Sequence, residues 1–198
     1  MRHDSAKRIE AWFAEHDDGE FALAESASLD AVIAPSSHAG SILFTTKPKI
    51  LAAVIETPLD SFVLGGYGLP KETYVRKLLD MSRARTLLFL GDMDPADLLM
   101  FLWLRERLVP QQIKYLGLSD TFLDAIGMTS ADLFQIRLAP SEQEALPLVD
   151  TLFPDMCETL GPQCTQRLQQ AHKIELEVLL QARTTAAKVL RSAILPDG

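Results

Sequence analysis

Asp92 and Asp94 stand two residues apart in Gly91-Asp92-Met93-Asp94-Pro95, directly after the apolar run TLLFLG (86–91). Residues two apart in extended chain point to the same side, so both carboxylates can face one cation. Hard carboxylate oxygens around an open position suit Mg²⁺, which keeps waters and takes phosphate oxygens as its remaining ligands. An ion held that way stabilises charge on a phosphoryl group and orients a nucleophile. Each acid also has a plainer role, Asp94 as the cap of a following helix and Asp92 as the polar end of a strand.

Around these acids the other chemistry-bearing residues are sparse. The turn GGYGLP (65–70) lacks the G-x-x-x-x-G-K-[ST] pattern of a phosphate-cradling loop and reads as a tight turn. Lys71 and Arg76, at the head of the next helix, are the candidates for phosphate contact, with a surface ion pair as the competing role for Arg76. His38 follows Ser37, but no G-x-S-x-G surrounds them, so hydrolase chemistry is not expected. Glu175 and Glu177 read as exposed polar positions, with support of the Asp92–Asp94 pair as the alternative. Cys157 and Cys164 have neither the spacing nor the histidines of a zinc site and read as plain thiols.

The elements that must position the acids follow from hydrophobic pattern. TLLFLG, almost wholly apolar, has the signature of a central parallel strand covered on both faces. SILFTT (41–46) and SFVLGG (61–66) also read as strands, as does IKYLG (113–117), while KILAAVIE (49–56) fits a strand or a helix. Helices are expected over 5–16, over 71–83 and from Asp94-Pro95 to Val109, with Asp94 as cap and Pro95 in the first turn. Ser119 caps a short helix, and Ser141-x-x-Glu144 forms a capping box for another. Residues 154–162 read as loop. From Thr165 to about Ala193, apolar residues recur every three or four positions, which predicts one long amphipathic helix. Alternating strands and helices imply an α/β fold, a parallel sheet flanked by helices, with an N-terminal helix and extension over 1–40 and the α/β domain over 41–198.

Composition bounds what this fold does. With 198 residues, 47% hydrophobic, the chain can bury a sizeable core. No apolar run spans a bilayer, and the charged N-terminus carries no signal-peptide stretch, so a cytoplasmic location without membrane contact is expected. The net charge of −8 opposes unaided nucleic-acid binding. Residues 71–114 reverse that balance locally, with 8 basic against 6 acidic side chains.

The stretch 61–105 resembles the topoisomerase–primase (Toprim) domain of topoisomerase VI A subunits and related Toprim-like nuclease subunits. The matching residues are Gly66, Gly68, Pro70, Arg76, Asp92, Asp94 and Pro95, and a weaker likeness extends over about 50–180. The resemblance implies a third metal-binding acid at the end of the first core strand, for which Glu56 is the best match. Only five residues separate Glu56 from Phe62, too few for a parallel crossover. Either the crossover helix is missing, or 49–58 is that helix and DAVIAP (30–35) is the first strand. The chain departs from the family at Asp97, where a Gly is usual, and residues 1–50 hold no tyrosine for a covalent DNA link.

Two functions follow as expectations. One is Mg²⁺-dependent phosphodiester chemistry on DNA, with Glu56, Asp92 and Asp94 as metal ligands and catalytic groups and water as nucleophile. The other is a non-catalytic Toprim-like interaction module of a DNA-handling complex, working with protein partners. A C-terminal helix of the expected length would also suit a homodimer.

Overall fold

The four apolar runs at 41–46, 61–66, 86–91 and 113–117 form the strands of a parallel sheet. The computed structural model describes residues 2–16, 30–31, 40–55, 59, 61–66, 68–129, 131, 133–134 and 136–194. In chain order the sheet strands are β1 (Asp30–Ala31), β2 (Ser41–Thr45), β3 (Ser61–Gly65), β4 (Thr86–Leu90) and β5 (Ile113–Tyr115). Their spatial order is β1-β3-β2-β4-β5, parallel except for β1, which runs antiparallel along the edge of β3. All of β2 is buried and so is β4 from Leu87 onward, as expected of central strands covered on both faces.

KILAAVIE resolves as a helix, α2 (Pro48–Val54). Pro48 sits in its first turn, Leu51 and Val54 are buried, and the two alanines face outward. Helix α2 thus lies in the crossover from β2 to β3. Among the described residues the first parallel strand is therefore Ser41–Thr45, rather than a strand within 49–56 or 30–35. Of the latter only Asp30–Ala31 are described, as the antiparallel edge.

Because β2 lies between β3 and β4, the chain leaves β2 in one direction and returns past it to β4. Right-handed crossovers then put α2 on one face and α3 (Glu72–Ser82) and α4 (Pro95–Arg107) on the other. Contacts agree: α2 packs on the C-terminal helix α9 (Arg183–Ile194), while Arg107 of α4 pairs with Glu72 of α3.

Helix α4 is apolar all round, with Pro95, Ala96 and every residue from Leu98 to Leu104 buried. A helix of that kind needs cover on every side. It lies between the sheet and a third layer made of α1 (Arg2–Glu15) and α6 (Pro140–Leu152). Trp12 and Phe13 of α1 are buried, and Glu10 accepts the Trp103 indole N–H at 2.9 Å. Phe101 and Trp103 serve packing, as expected from their place on a covering helix.

The remaining elements are α5 (Asp120–Ala125), β6 (Ile136–Arg137), α7 (Met156–Leu160), α8 (Pro162–Gln169), β7 (His172–Lys173) and a 3₁₀ turn at Leu176–Leu180. Ser119 caps α5 by accepting the Phe122 N–H at 3.2 Å. Three expectations are corrected. Segment 154–162 contains the short helix α7 rather than loop alone. The cap of α6 uses Glu142, which accepts the Ala139 N–H at 2.5 Å with no return bond from the alanine, rather than Ser141 and Glu144. The long periodic segment is broken into α8, an extended stretch, the 3₁₀ turn and α9, so the C-terminal helix begins only at Arg183.

The break has a visible cause. Ala171 turns the chain with φ of 59°, and from there Ile174, Leu176 and Val178 are buried while Glu175 and Glu177 alternate outward. The chain is extended only over 172–175, and in the 3₁₀ turn that follows Leu176 and Leu179, three residues apart, share the buried side. His172–Lys173 pair antiparallel with Ile136–Arg137, and Ile174 exchanges backbone hydrogen bonds with Met93. Residues 172–180 thus form a strap across the carboxyl end of β4. None of the helices is long and apolar enough to cross a membrane, among the described residues.

Candidate functional site

In an open parallel sheet the natural binding crevice lies beyond the carboxyl ends of the two adjacent strands from which the chain departs in opposite directions. Here those strands are β2 and β4. A crevice of about 320 Å³ lies there, lined among others by Thr46, Lys47, Asp92, Asp94, Asp97 and Lys173. Asp92 and Asp94 are therefore where the sequence placed them, at the exit of a buried parallel strand.

Local sequence explains how each is held. Gly91 has no side chain because one would sit 2.6 Å from the Phe89 ring and 2.7 Å from an Asp97 oxygen. The chain then turns into α4 with Asp94 as its cap, Oδ1 accepting the Asp97 N–H at 2.8 Å. Asp97 turns back, and its Oδ2 accepts the Asp92 N–H at 2.5 Å and the Thr46 hydroxyl at 2.6 Å. Thr46 follows β2, so this carboxylate stitches the two strand exits together.

Asp92 is engaged at both oxygens. Oδ1 accepts the Leu176 N–H of the strap at 2.7 Å, and Oδ2 lies 3.1 Å from the Lys47 ammonium. Lys47, the residue before α2, also donates to Glu177 at 3.1 Å. A second lysine repeats the arrangement on the far side of Asp94: Lys173 lies 2.9 Å from Glu142 and 3.3 Å from Glu175. Each ammonium bridges one almost fully buried carboxylate and one more exposed glutamate of the strap.

Burial dominates the electrostatics. It raises the Asp92 carboxyl, against the pull of Lys47 and the Leu176 amide. Burial, then the charge of Asp92, lifts Asp94 to about 7. Asp97 is pushed well above the ordinary carboxyl range by burial and by Asp94 and Asp92. For Lys47 and Lys173 burial works against the charged form, but their carboxylate partners outweigh it and both are raised. Behind the acids, burial drives the Tyr115 phenol well above its usual value, and its hydroxyl has no hydrogen-bond partner among the described residues.

Two of the three expected ligands, Asp92 and Asp94, are brought to one crevice. There Asp92 meets Lys47 through Oδ2, while Asp94 caps α4 through Oδ1. Glu56 lies outside the described residues, as do His38 and Tyr67. The end of the first core strand, where the resemblance calls for an acid, carries Thr45-Thr46-Lys47. Mg²⁺ requires oxygens at about 2.0–2.1 Å in near-octahedral array. Lys47 and Leu176 engage both Asp92 oxygens, so a divalent ion there would compete with the Lys47 charge. Among the described residues no group of three His, Cys, Asp or Glu is disposed to hold a metal.

Four contributors escaped the sequence reading: Lys47, Asp97 as the stitch, Glu142 and Lys173. Glu175 and Glu177, read chiefly as exposed, both reach the crevice lysines. The Arg76 side chain is 76% exposed and pairs with Glu72 at 3.4 Å. Lys71 precedes α3 and is exposed, three residues from Gly68 of the crevice wall. Gly65 serves packing, since a side chain there would meet Pro48 at 2.6 Å.

A larger groove of about 670 Å³ opens at the other edge of the sheet, beside Val109, Pro110 and Gln112. Its Arg105 and Asp155 already pair with each other at 2.8 Å, and its lining includes none of Asp92, Asp94 and Asp97. Compared with known proteins, the chain matches no family model, no curated protein and no solved structure.

Proposed function

We propose that this chain is a non-catalytic Toprim-like module that acts as an interaction part of a DNA-handling complex. One observation carries the non-catalytic half: Asp92, the acid best placed to hold a metal, is committed to the Lys47 ammonium and to the Leu176 amide. The Lys47 charge already neutralises that carboxylate and repels a second cation. The DNA half is supported by the resemblance over 61–105 and by the local cationic excess of 71–114. Lys71 and Arg76 contribute to that excess from exposed positions at the head of α3. With net charge −8, contact with DNA in this reading depends on partner proteins that supply further cationic surface.

The test is supercoiled plasmid incubated with the protein and Mg²⁺ or Mn²⁺, beside Asp92→Asn. No nicking is expected from either. Metal-dependent nicking by the wild type that Asp92→Asn abolishes would establish the competing reading, Mg²⁺-dependent phosphodiester cleavage with water as nucleophile.

A further inference from the structure

We infer that the Lys47 ammonium is the resident cation of this crevice, and that Asp92 and Glu177 form a latent divalent-cation site which Lys47 keeps filled. The inference rests on the non-catalytic reading and gives it a chemical cause. Three elements converge on the ammonium: Lys47 from the β2–α2 junction, Asp92 from the exit of β4, and Glu177 from the strap. Asp92 lies at 3.1 Å, and the two oxygens of Glu177 lie at 3.1 and 3.4 Å. These are ammonium–carboxylate distances, about an ångström too long for a magnesium bond.

Asp92 is also set up as metal-binding carboxylates are, with one oxygen on the cation and the other fixed by a hydrogen bond that orients it. That orienting bond comes from the Leu176 amide at 2.7 Å. The charges agree with this assignment. One ammonium stands against two carboxylates, so removing it leaves two negative charges, which one divalent ion neutralises. The Lys47 side chain is 27% exposed and that of Asp92 5%, so the position is open to solvent from the lysine side. An ion can therefore enter when the ammonium is gone.

The experiment is a Mn²⁺ titration followed by electron paramagnetic resonance of the free ion. It uses the full chain as wild type, Asp92→Asn, Lys47→Met, and the doubles Lys47→Met/Asp92→Asn and Lys47→Met/Glu177→Gln. Methionine keeps the apolar stem of Lys47 and removes its charge. The wild type is expected to show no saturable Mn²⁺ site that depends on Asp92. Lys47→Met is expected to gain one saturable site, lost in the first double and weakened at least tenfold in the second.

Asp92-dependent Mn²⁺ binding by the wild type would overturn the inference, and so would a folded Lys47→Met that binds no ion. If Lys47→Met fails to fold, Lys47→Gln decides in its place, with the same gain of an Asp92-dependent site expected and its absence in the folded variant overturning the inference. This outcome separates from that of the plasmid assay. Asp92-dependent binding without DNA nicking defeats only the resident-cation inference. Nicking by a wild type without such a site defeats only the non-catalytic reading.

Discussion

Asp92 is the residue whose loss should be felt most. Truncating one member of a buried ion pair costs about 3–5 kcal/mol, because the remaining charge is left without compensation. Lys47 keeps some access to water, so the lower end applies. Asp92→Ala is expected to lower urea-unfolding stability by about 3 kcal/mol, and Lys47→Met/Asp92→Asn, with both charges removed, should recover part of that loss. Glu177 is 43% exposed, and Glu177→Gln alone should cost less than about 1 kcal/mol. Asp94 makes a separate prediction through pH. Its carboxyl rises from 3.8 to about 7 on folding, so between those values the native chain binds the proton that the unfolded chain has released. Stability then falls as pH rises through that window. The melting temperature should be higher at pH 5.5 than at pH 7.5, with a difference on the order of 2 kcal/mol in stability. Asn still caps a helix, so Asp94→Asn should fold and reduce that dependence, with Asp92 and Asp97, also raised by burial, keeping the remainder; an unchanged slope would count against the assignment.

The strap at 172–180 is the element that turns strand-end acids into a closed site. It is tied to the sheet by Met93 and Ile174, to Asp92 by the Leu176 amide, and to both lysines by Glu175 and Glu177. Hydrogen exchange should show the Leu176 amide protected in the wild type and exchanging at least tenfold faster in Asp92→Ala, with the amides of β2 unchanged. Its entry point is Ala171, at φ of 59°, a region that costs an L-residue roughly 1 kcal/mol. Ala171→Gly should therefore be neutral or stabilising by up to about 1 kcal/mol in thermal unfolding, although Gly also loosens the unfolded chain. Ala171→Val should be destabilising. The strap was the least legible part of the sequence. Leu168, Ala171, Ile174 and Val178 keep helical spacing, which hides both the extended pairing of 172–174 and the 3₁₀ turn after it. The sheet strands were legible because β2 and β4 are apolar on both faces, which leaves few other ways to bury them. Asp92 and Asp94 were legible from the same run. Lys47, Glu142 and Lys173 were not, because only the strand order and the strap bring them beside those acids.

At the scale of the whole molecule, an acidic chain carries its cationic excess in one segment, and that segment includes the edge where β3 passes into α3. Lys71→Ala/Arg76→Ala is expected to reduce retention of duplex DNA at low salt and to lower the salt slope by roughly one to two. Its melting temperature should stay within a degree or two, since the exposed Arg76–Glu72 pair contributes only about 0.3–0.5 kcal/mol. Equal retention by wild type and variant would remove this edge from any DNA contact. The Lys47 ammonium has a consequence of another kind. A positive charge tethered to the backbone cannot be dialysed away or sequestered by EDTA, and it arrives with every copy of the chain the ribosome makes. Occupancy of the crevice is thereby independent of the ion supply of whatever compartment the protein works in.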